Sequence, residues 1–169
     1  MSKKRLTAKE YKDEVIYRQI QLTRYTTGQA NYALSLINEL NDKIARYCLK
    51  KITVETKSQY SDCKIFIRTK CIEYRDKLYR YLDKELRDFI NEQAQWVYDN
   101  SPIKLEEANS DRIVNDVFFT AFSDTDTIKT YLIRIFNQVF QLWNAQLSIA
   151  YRTGQNMKSM IKLILDKEY

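Results

Sequence analysis

The sequence predicts an all-α fold: an elongated helical bundle built on a long antiparallel helical hairpin, joined by a central C-terminal long helix and a short amphipathic helix. Three observations carry this expectation. Only two glycines and one proline punctuate 169 residues, too few turn formers for an all-β chain. Apolar residues recur at helical spacing over most of the length. One segment, Ile135 to Tyr151, holds no charged residue and is apolar around roughly 200° of a helix, about twice the stripe of a surface helix. A composition of 44% apolar and 30% charged residues excludes a disordered chain, and the length suits a single domain over 1–169 with a core of its own.

The first helix is expected over 8–52. Thr7-Ala8-Lys9-Glu10 has the spacing of a capping box, in which hydroxyl and carboxylate each satisfy an orphan amide at a helix start. Tyr11, Val15, Leu22 and Tyr25 form an apolar seam that resumes after Gly28 as Ala30, Ala33, Ile37, Leu40, Ile44 and Tyr47. A single glycine weakens a helix by about 1 kcal/mol without breaking it, so a continuous or kinked helix is expected there. Thr53 to Ser61 reads as a connection. The second long helix, over 61–100, carries Ile72, Tyr79, Leu82, Leu86, Phe89 and Val97 on one face. Its outer face carries the acid-first pairs Glu73–Lys77, Asp76–Arg80 and Asp83–Arg87, the mark of a solvated side.

Ser101-Pro102 ends that helix, and Pro102 suits the first position of the next. Residues 101–126 read as short helices and a link, with Val114, Val117, Phe118, Phe119 and Phe122 as the apolar side and caps among Ser123 to Asp126. Over 127–169 a long helix, a turn at Thr153-Gly154-Gln155 and a terminal helix are expected. Gly154 stands where a left-handed helix cap belongs, Asn156 can cap the last helix, and Met157, Met160, Ile161, Ile164 and Leu165 form its apolar face. The long helix also bears an amide strip, Asn137, Gln138, Gln141 and Asn144 with Ser148, whose burial in lipid without partners would be costly, so it is not a membrane span.

Chemistry-bearing residues are sparse. Histidine is absent, and Cys48, Cys63 and Cys71 lack a CxxC spacing, so reduced thiols of a cytosolic product are expected, with no metal and no cofactor. Carboxylate pairs such as Glu85 with Asp88 or Glu106 with Glu107 read as solvated charges, no catalytic constellation is found, and neither an enzyme nor a small-molecule substrate is expected. Thr153 to Asn156 lacks the GK[ST] of a phosphate loop and reads as a plain turn. Nothing at Met1 to Leu6 resembles a signal peptide.

Charge is uneven: +6 over residues 1–60, zero over 61–100, −4 over 101–127 and +4 over 128–169. Lys43, Arg46 and Lys50, with the adjoining Lys51, form a basic stripe that serves either as a solvated flank or as a phosphate-binding surface for nucleic acid. Tyr74, Tyr79 and Tyr81 lie among basic residues and either stack on bases or, as their helical spacing favours, pack in the core. The candidate protein interface is Phe136, Phe140, Trp143, Gln146, Leu147, Met157, Met160, Ile161 and Ile164, the apolar surface of the last two helices.

Long amino-terminal helices, then Ser101-Pro102, Phe119-Thr120-Ala121-Phe122 and Asp126-Thr127-Ile128, then a helix through Trp143 that ends in Ile149-Ala150-Tyr151-Arg152-Thr153-Gly154-Gln155-Asn156-Met157-Lys158-Ser159-Met160-Ile161, follow a known order. This order resembles the amino-terminal helical region of minor head proteins of tailed bacteriophages, the Mu F-like head morphogenesis group. Gly154, Met157, Met160 and Ile161 match its glycine-then-apolar-helix segment. The chain stops at Tyr169, before the mixed α/β domain with which members of that group usually continue. The resemblance implies a non-enzymatic structural protein inside the virion, present in the host cytoplasm during assembly. Its implied partners are the portal, the capsid shell or packaged DNA; the apolar last helices add further copies of the chain as an expected partner, and no membrane is expected.

Overall fold

The computed structural model describes residues 6–103, 110–119 and 127–165. These form five helices and, among the described residues, no strand: α1 (Ala8–Leu49), α2 (Lys57–Asn100), α3 (Ser110–Phe119), α4 (Ile128–Thr153) and α5 (Met157–Leu165). The all-α helical bundle expected from the sequence is the fold. The chain divides into two compact units, one of Met1–Tyr32 with Arg80–Lys129 and one of Ala33–Tyr79 with Thr130–Tyr169, so α1 and α2 each contribute a segment to both.

Local chemistry sets the helix ends. The Thr7 amide donates to Glu10 Oε2 at 2.8 Å and the Glu10 amide to Thr7 Oγ1 at 3.3 Å, the reciprocal capping box that starts α1. The helix runs through Gly28 unbroken. A second capping box starts α2: the Thr56 amide donates to Gln59 Oε1 at 3.2 Å and the Gln59 amide to Thr56 Oγ1 at 3.2 Å. It sets the start of α2 at Lys57, inside the stretch read as a connection. Pro102 stands in a bend rather than at the head of a helix. At the α4–α5 turn Gly154 adopts φ 70°, the Gln155 amide donates to the Ala150 carbonyl at 3.1 Å, and Asn156 Oδ1 accepts from the Lys158 amide at 2.7 Å. Met157 N–H donates to the Ile52 carbonyl at 3.1 Å, which ties this turn to the α1–α2 connection.

The unit of Ala33–Tyr79 and Thr130–Tyr169 holds the close-packed core. Leu36, Leu40, Ile44 and Cys48 of α1 meet Cys63, Ile67, Cys71, Tyr74 and Leu78 of α2. Leu132, Phe136, Trp143, Leu147 and Ala150 of α4 and Met157, Met160, Ile161 and Ile164 of α5 close it, and the indole N–H of Trp143 donates to Asn41 Oδ1 at 2.9 Å. The buried face of α2 differs from the expected one. Ile72 is exposed at 42%, while the smaller Cys71 and the long Tyr74 fill the seam. Tyr74 can be buried because its hydroxyl reaches out of the core to donate to Glu39 at 2.7 Å. Leu165 also differs, lying outside the buried face of α5.

The unit of Met1–Tyr32 and Arg80–Lys129 is a pairing of α1 with α2 through aromatic stacks. Tyr11 lies on Trp96 with ring centroids 5.3 Å apart and Tyr25 on Phe89 at 4.6 Å, while Tyr32 meets Tyr81 at 3.8 Å with the rings tilted by 33°. Arg18 sits over the Trp96 ring at 4.1 Å and donates to Gln93 at 3.1 Å. Among the described residues no hydrophobic side chain of this unit is fully buried. The apolar side expected from Val114, Val117, Phe118, Phe119 and Phe122, and the caps expected at Ser123 to Asp126, lie outside what is described, as do Leu105, Glu106 and Glu107.

Candidate functional site

Sorting the sequence by unit concentrates its charge. Residues 33–79 and 130–169 hold fifteen Lys or Arg against eight acids, a net of +7, and residues 1–32 and 80–129 hold thirteen against fourteen, a net of −1. The unit with the core therefore carries the whole positive excess.

The expected basic stripe lies on this unit, with its members in different environments. Lys43 is engaged: its Nζ lies 3.1 Å from Glu39 and 5.1 Å from the centre of the Tyr74 ring. Lys77 reaches the same carboxylate at 3.5 Å. The hydrogen bond from Tyr74, with those from Lys43 and the charge of Lys77, holds the Glu39 carboxyl at about 2. The Lys43 ammonium is held above its usual range by Tyr74 and Glu39. Arg46 and Lys50 are exposed and make no ion pair among the described residues, and Lys51 is half-buried. Tyr74, read as either a base-stacking or a core residue, is 1% exposed and belongs to the core.

The expected protein interface is corrected by burial. Phe136, Trp143, Leu147, Met157, Met160, Ile161 and Ile164 are all at most 6% exposed within the chain itself. They are the core that α1, α2, α4 and α5 build together, and too little of each is exposed to carry a protein interface. Phe140 and Gln146 are half-buried. The broad apolar arc of α4 resolves into a narrow buried centre with a cleft on either side. On one side Ile135, Val139 and Leu142, with Gln138, face Leu34 and Ile37 of α1 across a cleft of about 730 Å³. On the other, Ile133, Phe140, Asn137 and Gln141 face Arg68, Ile72 and Arg75 of α2 across one of about 430 Å³. The amide strip is thereby accounted for in part: Asn137, Gln138 and Gln141 line clefts, and Asn144 Oδ1 accepts from the Tyr60 hydroxyl at 3.4 Å.

The cysteines are free and buried. Cys48 and Cys63 hydrogen-bond to one another, which with burial raises the Cys48 thiol, and burial alone pushes Cys71 up to about 12. Among the described residues no three His, Cys, Asp or Glu side chains gather as a metal ion requires, and no helix is long and apolar enough to cross a membrane. The expected solvated pairs of α2 are partly exchanged: Asp83–Arg87 forms at 3.1 Å, while Glu73 pairs with Lys70, Asp76 with Arg75 and Lys77 with Glu39. No known protein family, curated protein or solved structure matches the chain.

Proposed function

We propose that this chain is a non-enzymatic assembly protein of a tailed-bacteriophage virion, a minor head or portal-associated component inside the capsid that docks on the portal or the shell. The observation that supports it is a second apolar face on α1. Ile16, Tyr17 and Ile20 are 54%, 54% and 51% exposed. At 100° per residue they lie roughly 180° around the helix from Tyr11, Val15, Leu22 and Tyr25, the face that packs toward α2. A helix apolar on opposite sides is stabilised by covering both, and Asp13 and Arg24, interleaved with the exposed trio, supply the charged surround of a specific interface. The order of helices and the Gly154 turn that resemble the minor head group point to a virion as the setting.

The test is biochemical. Virions purified from the phage that encodes the chain are expected to contain it, and the triple variant Ile16→Ser, Tyr17→Ser, Ile20→Ser is expected to be lost from them while its circular dichroism stays unchanged. Virions that lack the chain altogether contradict the reading.

A second reading is favoured by the +7 on one unit and by the exposed Arg46 and Lys50: non-specific contact with the phosphates of packaged DNA. It predicts DNA affinity that falls steeply with salt and is abolished in Lys43→Glu, Arg46→Glu, Lys50→Glu. No binding at about 50 mM salt would exclude it.

A further inference from the structure

The cleft between α2 and α4 differs in chemistry from the one between α1 and α4. The latter is lined chiefly by aliphatic side chains with one acid, Asp42. The former is lined by two arginines, Arg68 and Arg75, and by two amide residues, Asn137 and Gln141, with the apolar Phe136 and Phe140, and no acid lines it. Its volume of about 430 Å³ falls within the range of small-ligand sites.

From these groups we infer that the α2–α4 cleft binds a nucleotide, with the phosphate on Arg68 and Arg75, the base against Phe140 and the polar edge of the base on Asn137 and Gln141. Arg68 and Arg75 are seven residues apart, two helical turns with a rise of about 10 Å, so both face the same cleft from one side of α2. Arg68 is exposed and makes no ion pair among the described residues. Arg75, which lines the cleft, is steadied by Asp76 Oδ1 through Nε at 2.8 Å and Nη2 at 2.7 Å, which fixes the plane of its guanidinium and leaves Nη1 outside that pair. Planar, multiply donating guanidinium groups suit phosphate oxygens. Asn137 and Gln141, one turn apart on α4, present both a donor and an acceptor each, as the edge of a base requires. The burial that keeps the Cys71 thiol protonated also keeps the floor uncharged, so the ring meets apolar surface.

The same chemistry is supplied by a free mononucleotide or by an unpaired nucleotide of a strand. The inference stands apart from the proposed assembly role: its failure leaves the virion and α1 results untouched, and theirs leave it untouched.

Isothermal titration of the full chain with deoxyadenosine monophosphate, inorganic phosphate and a short single-stranded oligonucleotide tests it. The expected result is one mononucleotide per chain, bound about tenfold more tightly than inorganic phosphate and weakened about tenfold in Arg68→Gln and in Gln141→Leu. Lys12→Gln, an exposed cation on a different helix and in the other unit, should leave that binding unchanged. Binding of the oligonucleotide alone, with the same dependence on Arg68 and Gln141, also supports the site and assigns the ligand to a strand. Thermal melting confirms that each variant is folded, and Arg68 is exposed, so its substitution tests the cleft rather than the core. The inference is overturned if neither nucleotide nor oligonucleotide binds at about 5 mM, if phosphate binds as tightly as the nucleotide, or if Lys12→Gln weakens binding as much as Arg68→Gln.

Discussion

The same two helices behave differently in the two units they traverse. Between Leu36 and Cys48, α1 buries a side chain at nearly every turn, and α2 answers with Cys63 to Leu78. Between Tyr11 and Tyr32 the same helix has half-buried residues, stacked rings and an exposed second apolar face. The difference lies in the neighbours. Two paired helices cover one stripe of each other, and α4 and α5 close the remaining sides in one unit. Helical continuity therefore does not imply uniform stability: opening free energy follows buried apolar contact. The core unit fixes the basic surface and the clefts, and the other presents the face proposed for docking.

The largest expected effect tests where the stability resides. Trp143→Ala empties the centre of the core and removes the bond to Asn41, so a loss of about 3–5 kcal/mol is expected in chemical denaturation. Tyr25→Ala removes one half-buried ring from its stack on Phe89 and should cost only about 1–2 kcal/mol by the same measurement. Equal losses from the two would erase the distinction. The two glycines, one in each unit, give effects of opposite sign. Gly154→Ala forces a side chain into φ 70° and should cost about 1 kcal/mol. Gly28→Ala meets nothing within 4 Å on a helix and should gain about 0.5–1 kcal/mol, read as a rise in melting temperature.

The smallest expected effect is set by pH. The Glu39 carboxyl is lowered in the fold from 4.5 to about 2, so its contribution is complete above about pH 4.5 and is lost as pH falls towards 2. Its side chain is 45% exposed, which keeps the contribution small. Melting temperature should fall more across that window in the wild type than in Glu39→Gln, and parallel curves would show that the pairing with Tyr74, Lys43 and Lys77 contributes nothing.

Much of the fold was legible because its signals are local. The Thr7–Glu10 capping box and the Gly154 turn need only neighbouring residues, and the α5 face of Met157, Met160, Ile161 and Ile164 is a simple helical period. The Thr56–Gln59 capping box is equally legible, since Thr-x-x-Gln carries the same signature, but the β-branched residues around it favour a connection. The α2 face was not, because periodicity favours Ile72 over Cys71, and only the placement of Glu39 on the neighbouring helix explains how Tyr74 can be buried. The expected interface failed for a related reason: an apolar face in sequence is the same whether its cover is another chain or this one. The cleft of Arg68, Arg75, Asn137 and Gln141 joins residues far apart in sequence, and no spacing announces it.

Amide hydrogen exchange resolved along the chain tests most directly the claim that one pair of helices serves a firm unit and a soft one. Residues 36–48, 63–78 and 132–150 are expected to exchange at least about a hundredfold more slowly than residues 11–32 and 81–97, equivalent to about 2.7 kcal/mol of opening free energy. Even protection along the whole of α1, from Tyr11 to Cys48, would contradict it.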